Sequence, residues 1–420
     1  MFENLKKIFF QNRFKLYMVG GAVRDTLMGR TPHDYDFATD ATPEEMICMA
    51  EENGVEVIPT GIKYGTITFK IDETLVEVTT FRADGNYSDG RRPDEVSFSK
   101  DLLDDLKRRD FTINAIALNI LTNEYIDPFN GIQDIKDRII RAVGDPVERF
   151  TEDGLRILRA IRFMFKLHFR MDDKTYLAIQ SNWHLLKHIS QERITAEFLQ
   201  ILDYGFLGDT RDCYLMDGLI KSILPNNYID DETFCNWFFY TSLFESFTDI
   251  EGKLAFLLKN VGTNVLETCY RLKLSKQMSR NVVASIMCKE LLESLYSTEE
   301  TVYIVRKMVS KYGMNNAIRG ICLYGEVYDL QKDDLDNLLS MAKDADLEAT
   351  TLADLRICGD DLIFLGCRGV EVGAVLDYCL DRVLRDQSLN TREELVKMVK
   401  DFKKHTENHP ACDFKKEIRE

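Results

Sequence analysis

Between Lys15 and Phe81 the chain alternates short apolar runs of strand character with longer stretches of helical period. KLYMV, DYDFAT, VEVIPT, GTITFKI and TLVEVTTF read as strands, and AVRDTLMG and TPEEMICMAEENG as helices, so the front of the chain is expected to be mixed α/β. The second helix carries its own start signal, with Thr42 as N-cap, Pro43 at the first helical position and Glu45 closing a capping box. From Leu102 onward strand signals thin out and helical periodicity takes over. The polar run RADGNYSDGRRPDEVS between Phe81 and Phe98 is expected to be a loop long enough to suspect function.

A turn-rich stretch, DPFNGIQDIKDRIIRAVGDP, separates the first region from the helical TEDGLRILRAIRFMFKLHF, and places a boundary near Gly144. In that helix Thr151 is the expected N-cap. Asp153 and Arg156 then lie about 60° apart, opposite an apolar stripe of Leu155, Leu158, Ile161 and Phe165.

Composition narrows the class. At 420 residues the chain exceeds what one core usually serves, so two to four domains are expected. Hydrophobic residues make up 45% and charged residues 30%, which excludes a disordered chain. No apolar run reaches the roughly 18 residues of a membrane span, and the start is broken by charges, so the expected location is cytoplasmic, with no membrane partner. Ten cysteines without a CxxC pair argue for reduced thiols rather than disulfides or zinc.

The net charge of −16 does not exclude a nucleic acid, because it is uneven. Residues 206–381 hold 17 basic and 28 acidic side chains, whereas residues 145–205 balance at nine each and residues 382–420 carry ten basic against eight acidic. Affinity for phosphate comes from the cations that touch the strand, not from the average.

The candidate chemistry lies in GGAVRDTLMGRTPHDYDFATD, residues 20–40. Read as a strand, HDYDFAT projects Asp34 and Asp36 from one face and turns Tyr35 and Phe37 to the core. Paired carboxylates facing solvent suit Mg²⁺, which takes one or two carboxylates and completes its shell with water and phosphates; the alternative is a solvated strand face. Glu77 on another strand is a candidate third carboxylate. Gly20 and Gly21 close a strand and open a helix, which offers backbone N–H groups to a triphosphate, and Arg24 adds charge one turn later. GxGxxG and the Walker pattern are both absent. One element that grips the phosphates followed by one that holds the metal makes nucleotidyl transfer the expected reaction class.

GGAVRDTLMGRTPHDYDFAT, RRDFTINAIAL (108–118) and RFTEDGLRILRAIRF (149–163) together resemble the bacterial-type class II tRNA nucleotidyltransferases, the CCA-adding enzymes and their poly(A) polymerase relatives. The resemblance implies an α+β chain: a polymerase-beta-like nucleotidyltransferase head (1–144), then an all-helical neck (145–205), body (206–330) and tail (331–420). It implies Asp34 and Asp36 as the catalytic Mg²⁺ ligands and Gly20, Gly21 and Arg24 at the triphosphate. Arg109, Asp110 and Asn114 of the second motif fall at phosphate and ribose. Asp153, Arg156, Arg159 and Arg162 line the nucleotide pocket from the neck.

Granted a nucleotide site, Asp153 and Arg156 have a further reading. Cytosine and adenine both present a donor amino group beside an acceptor ring nitrogen, and uracil and guanine reverse that order. A carboxylate beside a guanidinium therefore matches C and A and clashes with U and G. The alternative is an ordinary i,i+3 surface ion pair. His184 and His188 in HLLKH are expected to be plain surface. The expected partners are CTP, ATP and the tRNA 3′ end, with Arg382, Arg385, Lys397, Lys400, Lys403 and Lys404 as tail contacts. A-only, CC-only and poly(A) products stay open, as do an inactive RNA-binding scaffold and the choice between monomer and homodimer.

Overall fold

The computed structural model describes residues 2–71, 74–84, 96–204, 210–224, 245–259, 265–294 and 300–408. The chain divides into two compact units, Met1–Trp237 and Phe238–Glu420.

The first unit is built on a seven-stranded sheet in the order β3-β4-β5-β2-β1-β8-β9 among the described residues. Its strands are β1 (Leu16–Val19), β2 (Asp36–Thr39), β3 (Val57–Gly61), β4 (Thr66–Ile71), β5 (Thr74–Thr80), β8 (Ala117–Asn119) and β9 (Glu124–Ile126). β1 lies antiparallel to β2 and β8, whereas β2 runs parallel to β5 with Asp36 beside Glu77. Period-two alternation gives the sheet two different faces. Met18, Phe37, Ile67, Phe69, Val76 and Val78 are buried on one face, where Phe9 of helix α1 (Glu3–Gln11) meets Phe69 at 5.8 Å between ring centres. Asp36 therefore emerges on the other face, because its neighbour Phe37 is committed to the core.

Helix α2 (Gly21–Leu27) follows β1 with only Gly20 between them. Helix α3 (Pro43–Glu52) begins with the expected capping box: the Glu45 amide donates to Thr42 Oγ1 at 3.3 Å and the Thr42 amide to Glu45 Oε2 at 2.7 Å. The loop expected between Phe81 and Phe98 falls largely outside the described residues. Its flanks, β6 (Arg82–Asp84) and β7 (Val96–Phe98), pair as an antiparallel ribbon.

Past Leu102 the helical expectation needs correction. After α4 (Leu102–Lys107), β8 and β9 complete the head sheet, and β10 (Ile139–Ile140) pairs with β11 (Arg170–Met171). Strands of two or three residues are too short to show an alternation; β8 adds to the edge of β1 and β9 to that of β8, whereas β10 and β11 form a separate two-stranded sheet.

Around Thr151 the chain also differs from expectation. Helix α6 (Pro146–Glu152) starts at Asp145, whose carboxylate accepts from Val147 and Glu148 amides, with Pro146 at the first position. Thr151 lies inside that helix and donates to the Val147 carbonyl. Asp153 is extended (φ −146°, ψ 103°), and α7 (Leu155–Leu167) begins after Gly154. Asp153 and Arg156 thus do not share a helix. The stripe of Leu155, Leu158, Ile161 and Phe165 is buried as expected. Helices α5 (Gly131–Asp137), α8 (Asp173–Asn182), α9 (Gln191–Asp203) and α10 (Thr210–Ile223) complete the unit among the described residues. His184 and His188 lie on an exposed 3₁₀ turn between α8 and α9.

The described part of the second unit is helical: α11 (Ile250–Leu258), α12 (Val265–Arg271), α13 (Lys276–Glu293), α14 (Thr301–Tyr312), α15 (Met314–Tyr328), α16 (Lys332–Asp346), α17 (Gly359–Phe364), α18 (Val370–Arg385) and α19 (Arg392–Asn408). Close approach of α13 and α15 depends on Gly320, since a Cβ there would fall 2.3 Å from Cys288 Cβ. Among the described residues no helix is long and apolar enough to cross a membrane.

Candidate active site

One cavity of about 660 Å³ in the first unit is lined by Gly20, Gly21, Arg24, Asp34, Asp36, Arg109, Asp110, Asn114, Asp153, Arg156, Arg159 and Arg162. These are all the metal- and nucleotide-site residues that the sequence nominated, apart from Glu77. Arg108, Leu155, Phe163 and Arg193 join them. A second cavity, of about 630 Å³ around Arg141, Arg170, Tyr176 and Arg211, contains none of the nominated residues.

The sheet places the carboxylates. Asp36 opens β2 opposite Val19, the last residue of β1. Asp34 sits in a bend ahead of the strand rather than in it, so the two acids reach one cavity from a strand end and its approach. Glu77 is the register neighbour of Asp36 but does not line the cavity. Among the described residues no cluster of three or more His, Cys, Asp or Glu side chains could hold a metal. Desolvation raises the pKa of Asp36, Arg109 opposes that shift, and Asp34 adds to it.

Gly20 makes the turn. Its backbone (φ +70°, ψ −137°) is one that L side chains rarely adopt, and a Cβ would lie 3.1 Å from Arg109 Nη1 and 3.9 Å from Asp36 Oδ2. The glycine lets main chain, cation and carboxylate meet. One turn on, Arg24 is buried; it donates to Asn114 Oδ1 at 2.8 Å and to Asp25 at 2.9 Å, and its guanidinium lies 5.2 Å from the Phe163 ring centre.

The second motif is stitched to the chain that follows it. The Thr112 amide donates to the Arg141 carbonyl at 2.9 Å and the Val143 amide to that of Asp110 at 3.1 Å. Asp110 Oδ1 accepts from the Phe111 amide and Asn114 Nδ2, and Oδ2 accepts from Arg159 Nε and Nη2 at 2.9 and 2.6 Å. Burial opposes its ionisation, but Arg159 and Asn114, with Arg156 nearby, hold its pKa at about 2. Arg108 and Arg109 both donate to buried Asp105, which likewise stays at about 2 against the cost of burial.

From α7, Arg156 donates to Glu152 and to the carbonyls of Arg149 (3.0 Å) and Arg108 (2.9 Å). Arg162 donates to Glu197 at 2.6 Å. Asp153 is paired with Arg193 rather than with Arg156. The i,i+3 ion pair, the plain alternative for these two residues, is therefore not formed. Phe163 and Arg108 belong to motifs that were legible; Arg193 had no sequence signal.

A glycine turn, two carboxylates at the start of the central strand of a mixed sheet and a wall of arginines define the head of a nucleotidyltransferase. Residues 16–141 match the family described as "Poly A polymerase head domain", and residues 168–227 the family described as "Probable RNA and SrmB-binding site of polymerase A". The CCA-adding enzyme of Lactococcus lactis subsp. lactis is 33% identical over 421 residues, which cover 94% of this chain and 95% of that protein. The CCA-adding enzyme of Lactobacillus helveticus is 50% identical over 188 residues, 45% of this chain and 46% of the relative, so that match spans about half the relative's length. The crystal structure of the Bacillus stearothermophilus CCA-adding enzyme in complex with CTP is similar at a TM-score of 0.76 and 28% identity, covering 97% of this chain and 98% of that one. The Thermotoga maritima CCA-adding enzyme shares the fold at a TM-score of 0.68 and 22% identity, over 95% and 93% of the two chains. This chain belongs to the CCA-adding enzyme family.

Proposed function

We propose that this chain adds C, C and A to the 3′ end of tRNA from CTP and ATP, without a template strand and with release of pyrophosphate. The observation that carries the reading is that Asp34 and Asp36, the Gly20–Arg24 turn, and Asp153 with Arg156 all line one cavity. Family membership and the CTP bound to the Bacillus stearothermophilus relative support it.

In this reading the turn at Gly20 and Gly21 brings main chain against the triphosphate, while Arg24 and Arg109 balance its charge. Asp34 and Asp36 fit Mg²⁺: they are hard oxygen donors, and their mutual repulsion and desolvation are relieved by a divalent cation. Asp34 and Asp36 would hold the ion, which would supply charge stabilisation for the 3′-hydroxyl and the phosphates. Asp153 accepts from the exocyclic amino group of C or A, and Arg156 donates to the adjacent ring nitrogen; each good contact discriminates by about 1–3 kcal/mol.

The division into head, neck, body and tail belongs to the same proposal, as do a cytoplasmic location and tail contact with tRNA phosphates. Arg385 stacks on Tyr303 at 3.9 Å, Lys403 donates to the Leu365 carbonyl and Lys397 reaches Glu394 at 3.8 Å, so Arg382, Lys400 and Lys404 are the better tail candidates.

The test is to supply Mg²⁺, each labelled nucleotide singly and mixed, and tRNAs ending before CCA, after one C and after both Cs. CCA addition extends each by its missing nucleotides and stops. A-only, CC-only or poly(A) products replace this reading with another from the same family, and tRNA binding without extension replaces it with a scaffold. Asp34→Ala and Asp36→Ala are expected to abolish extension.

A further inference from the structure

Each arginine of the neck wall is paired with a carboxylate. Arg156 is held by Glu152, Arg159 by Asp110 and Arg162 by Glu197. Arg193, on α9, is given over to Asp153: Nη2 donates to Oδ2 at 2.8 Å and Nη1 reaches Oδ1 at 3.4 Å, across 40 residues of sequence. The side chains are 25% and 16% exposed, so the pair is sheltered rather than a solvated surface bridge.

The pairing matters because of where Asp153 sits. It occupies extended backbone between two helices, and its other anchor is the Leu155 amide, which donates to Oδ1 at 3.0 Å. A carboxylate offers about four acceptor positions. The amide and the guanidinium fork occupy Oδ1 and one side of Oδ2, so the remaining lone pair of Oδ2 has a fixed direction. With the amide alone, the group turns about its side-chain bonds and the acceptor loses its aim.

We propose that Arg193 is the positioning residue for base selection: it fixes the plane of the Asp153 carboxylate so that one Oδ2 lone pair faces the amino group of cytosine or adenine. This rests on the reading of Asp153 as the base-contacting acid. The distinction from a general phosphate-binding cation is that Arg193 acts through Asp153 and so affects which base is chosen.

The experiment compares the parent with Arg193→Ala, Arg193→Lys, Asp153→Ala and the double variant Arg193→Ala/Asp153→Ala. It measures kcat and KM for CTP and for UTP on tRNA lacking CCA. Arg193→Ala is expected to cut the CTP over UTP preference by about tenfold, chiefly through a higher KM for CTP, with no further loss in the Asp153→Ala background. Arg193→Lys keeps the charge without the fork and is expected to lose about threefold of the preference, which keeps the test available if the alanine variant does not fold. An unchanged preference overturns the inference, and so does an equal rise in KM for both nucleotides or a full additional loss on top of Asp153→Ala. If Asp153→Ala itself leaves the preference intact, it is the reading of Asp153 that fails, and the two failures are told apart.

Discussion

Asp110 and Arg159 are joined by two hydrogen bonds, of 2.9 and 2.6 Å, that tie the RRDFT segment of the head to helix α7. Asp110 is buried and ionises at about 2 in the fold, against roughly 3.9 for a free aspartate. A depressed carboxylate pKa gives stability that is present above the unfolded value and is lost as pH falls through the folded one. The head is therefore expected to lose roughly 2–3 kcal/mol through this group between about pH 4 and pH 2. Asp105, also held at about 2, adds to the loss over the same window. Urea unfolding at a series of pH values checks this. Asp110→Asn should lower stability near neutrality by about 2 kcal/mol, trimmed because Arg159 is 35% exposed, and should flatten the acid slope.

Gly20 and Gly29 both have positive φ, +70° and +71°, yet only Gly20 is in the cavity. A Cβ at Gly29 meets nothing within 4 Å, whereas at Gly20 it crowds Arg109. Both alanine variants should lose about 1 kcal/mol or somewhat more from backbone strain. Only Gly20→Ala should also raise the KM for CTP and ATP, by about tenfold or more. Equal kinetic damage from the two would remove the special role of the turn.

Arg156 grips three acceptors at once, Glu152 and two backbone carbonyls, which a lysine ammonium on a single stem cannot span in the same geometry. Arg156→Lys is thus expected to lower kcat/KM for CTP by roughly tenfold to a hundredfold despite the retained charge. Steady-state kinetics with CTP, ATP, UTP and GTP show whether the loss falls on the favoured bases. A uniform loss across all four would assign Arg156 to the phosphates.

How much of this was legible in the sequence follows from the range of each interaction. The Thr42–Glu45 capping box closes over three residues, β4 and β5 alternate, and β1 and β2 are short apolar runs, so the head and its carboxylates were visible. Asp36 was placed correctly because Phe37 must be buried. The expected start at Thr151 of the TEDGLRILRAIRF helix fails because Asp145 and Pro146 open a separate helix, α6, that runs through Thr151, and α7 begins only after Gly154. The Asp153–Arg193 pair spans 40 residues and leaves no local pattern. Nor does β8 reveal itself, since its three residues become a strand by pairing with β1.

Gly131 gives the last test, of how the second motif is held. It opens α5, where its amide donates to Asp127 Oδ1 at 2.7 Å, and it packs so closely that a Cβ would lie 2.1 Å from the Thr112 carbonyl oxygen. That distance cannot exist, so Gly131→Ala must push the 3₁₀ turn Thr112–Asn114 away from α5. Asn114 bridges Arg24 and Asp110, hence the displacement reaches the triphosphate side and the α7 side together. The expected result is a stability loss of about 1–3 kcal/mol from overpacking, with a fall in kcat/KM for both CTP and ATP. Denaturant unfolding and single-turnover kinetics measure the two effects separately. If the variant is destabilised but catalyses like the parent, the Asn114 bridge is a structural tie that the nucleotide does not depend on.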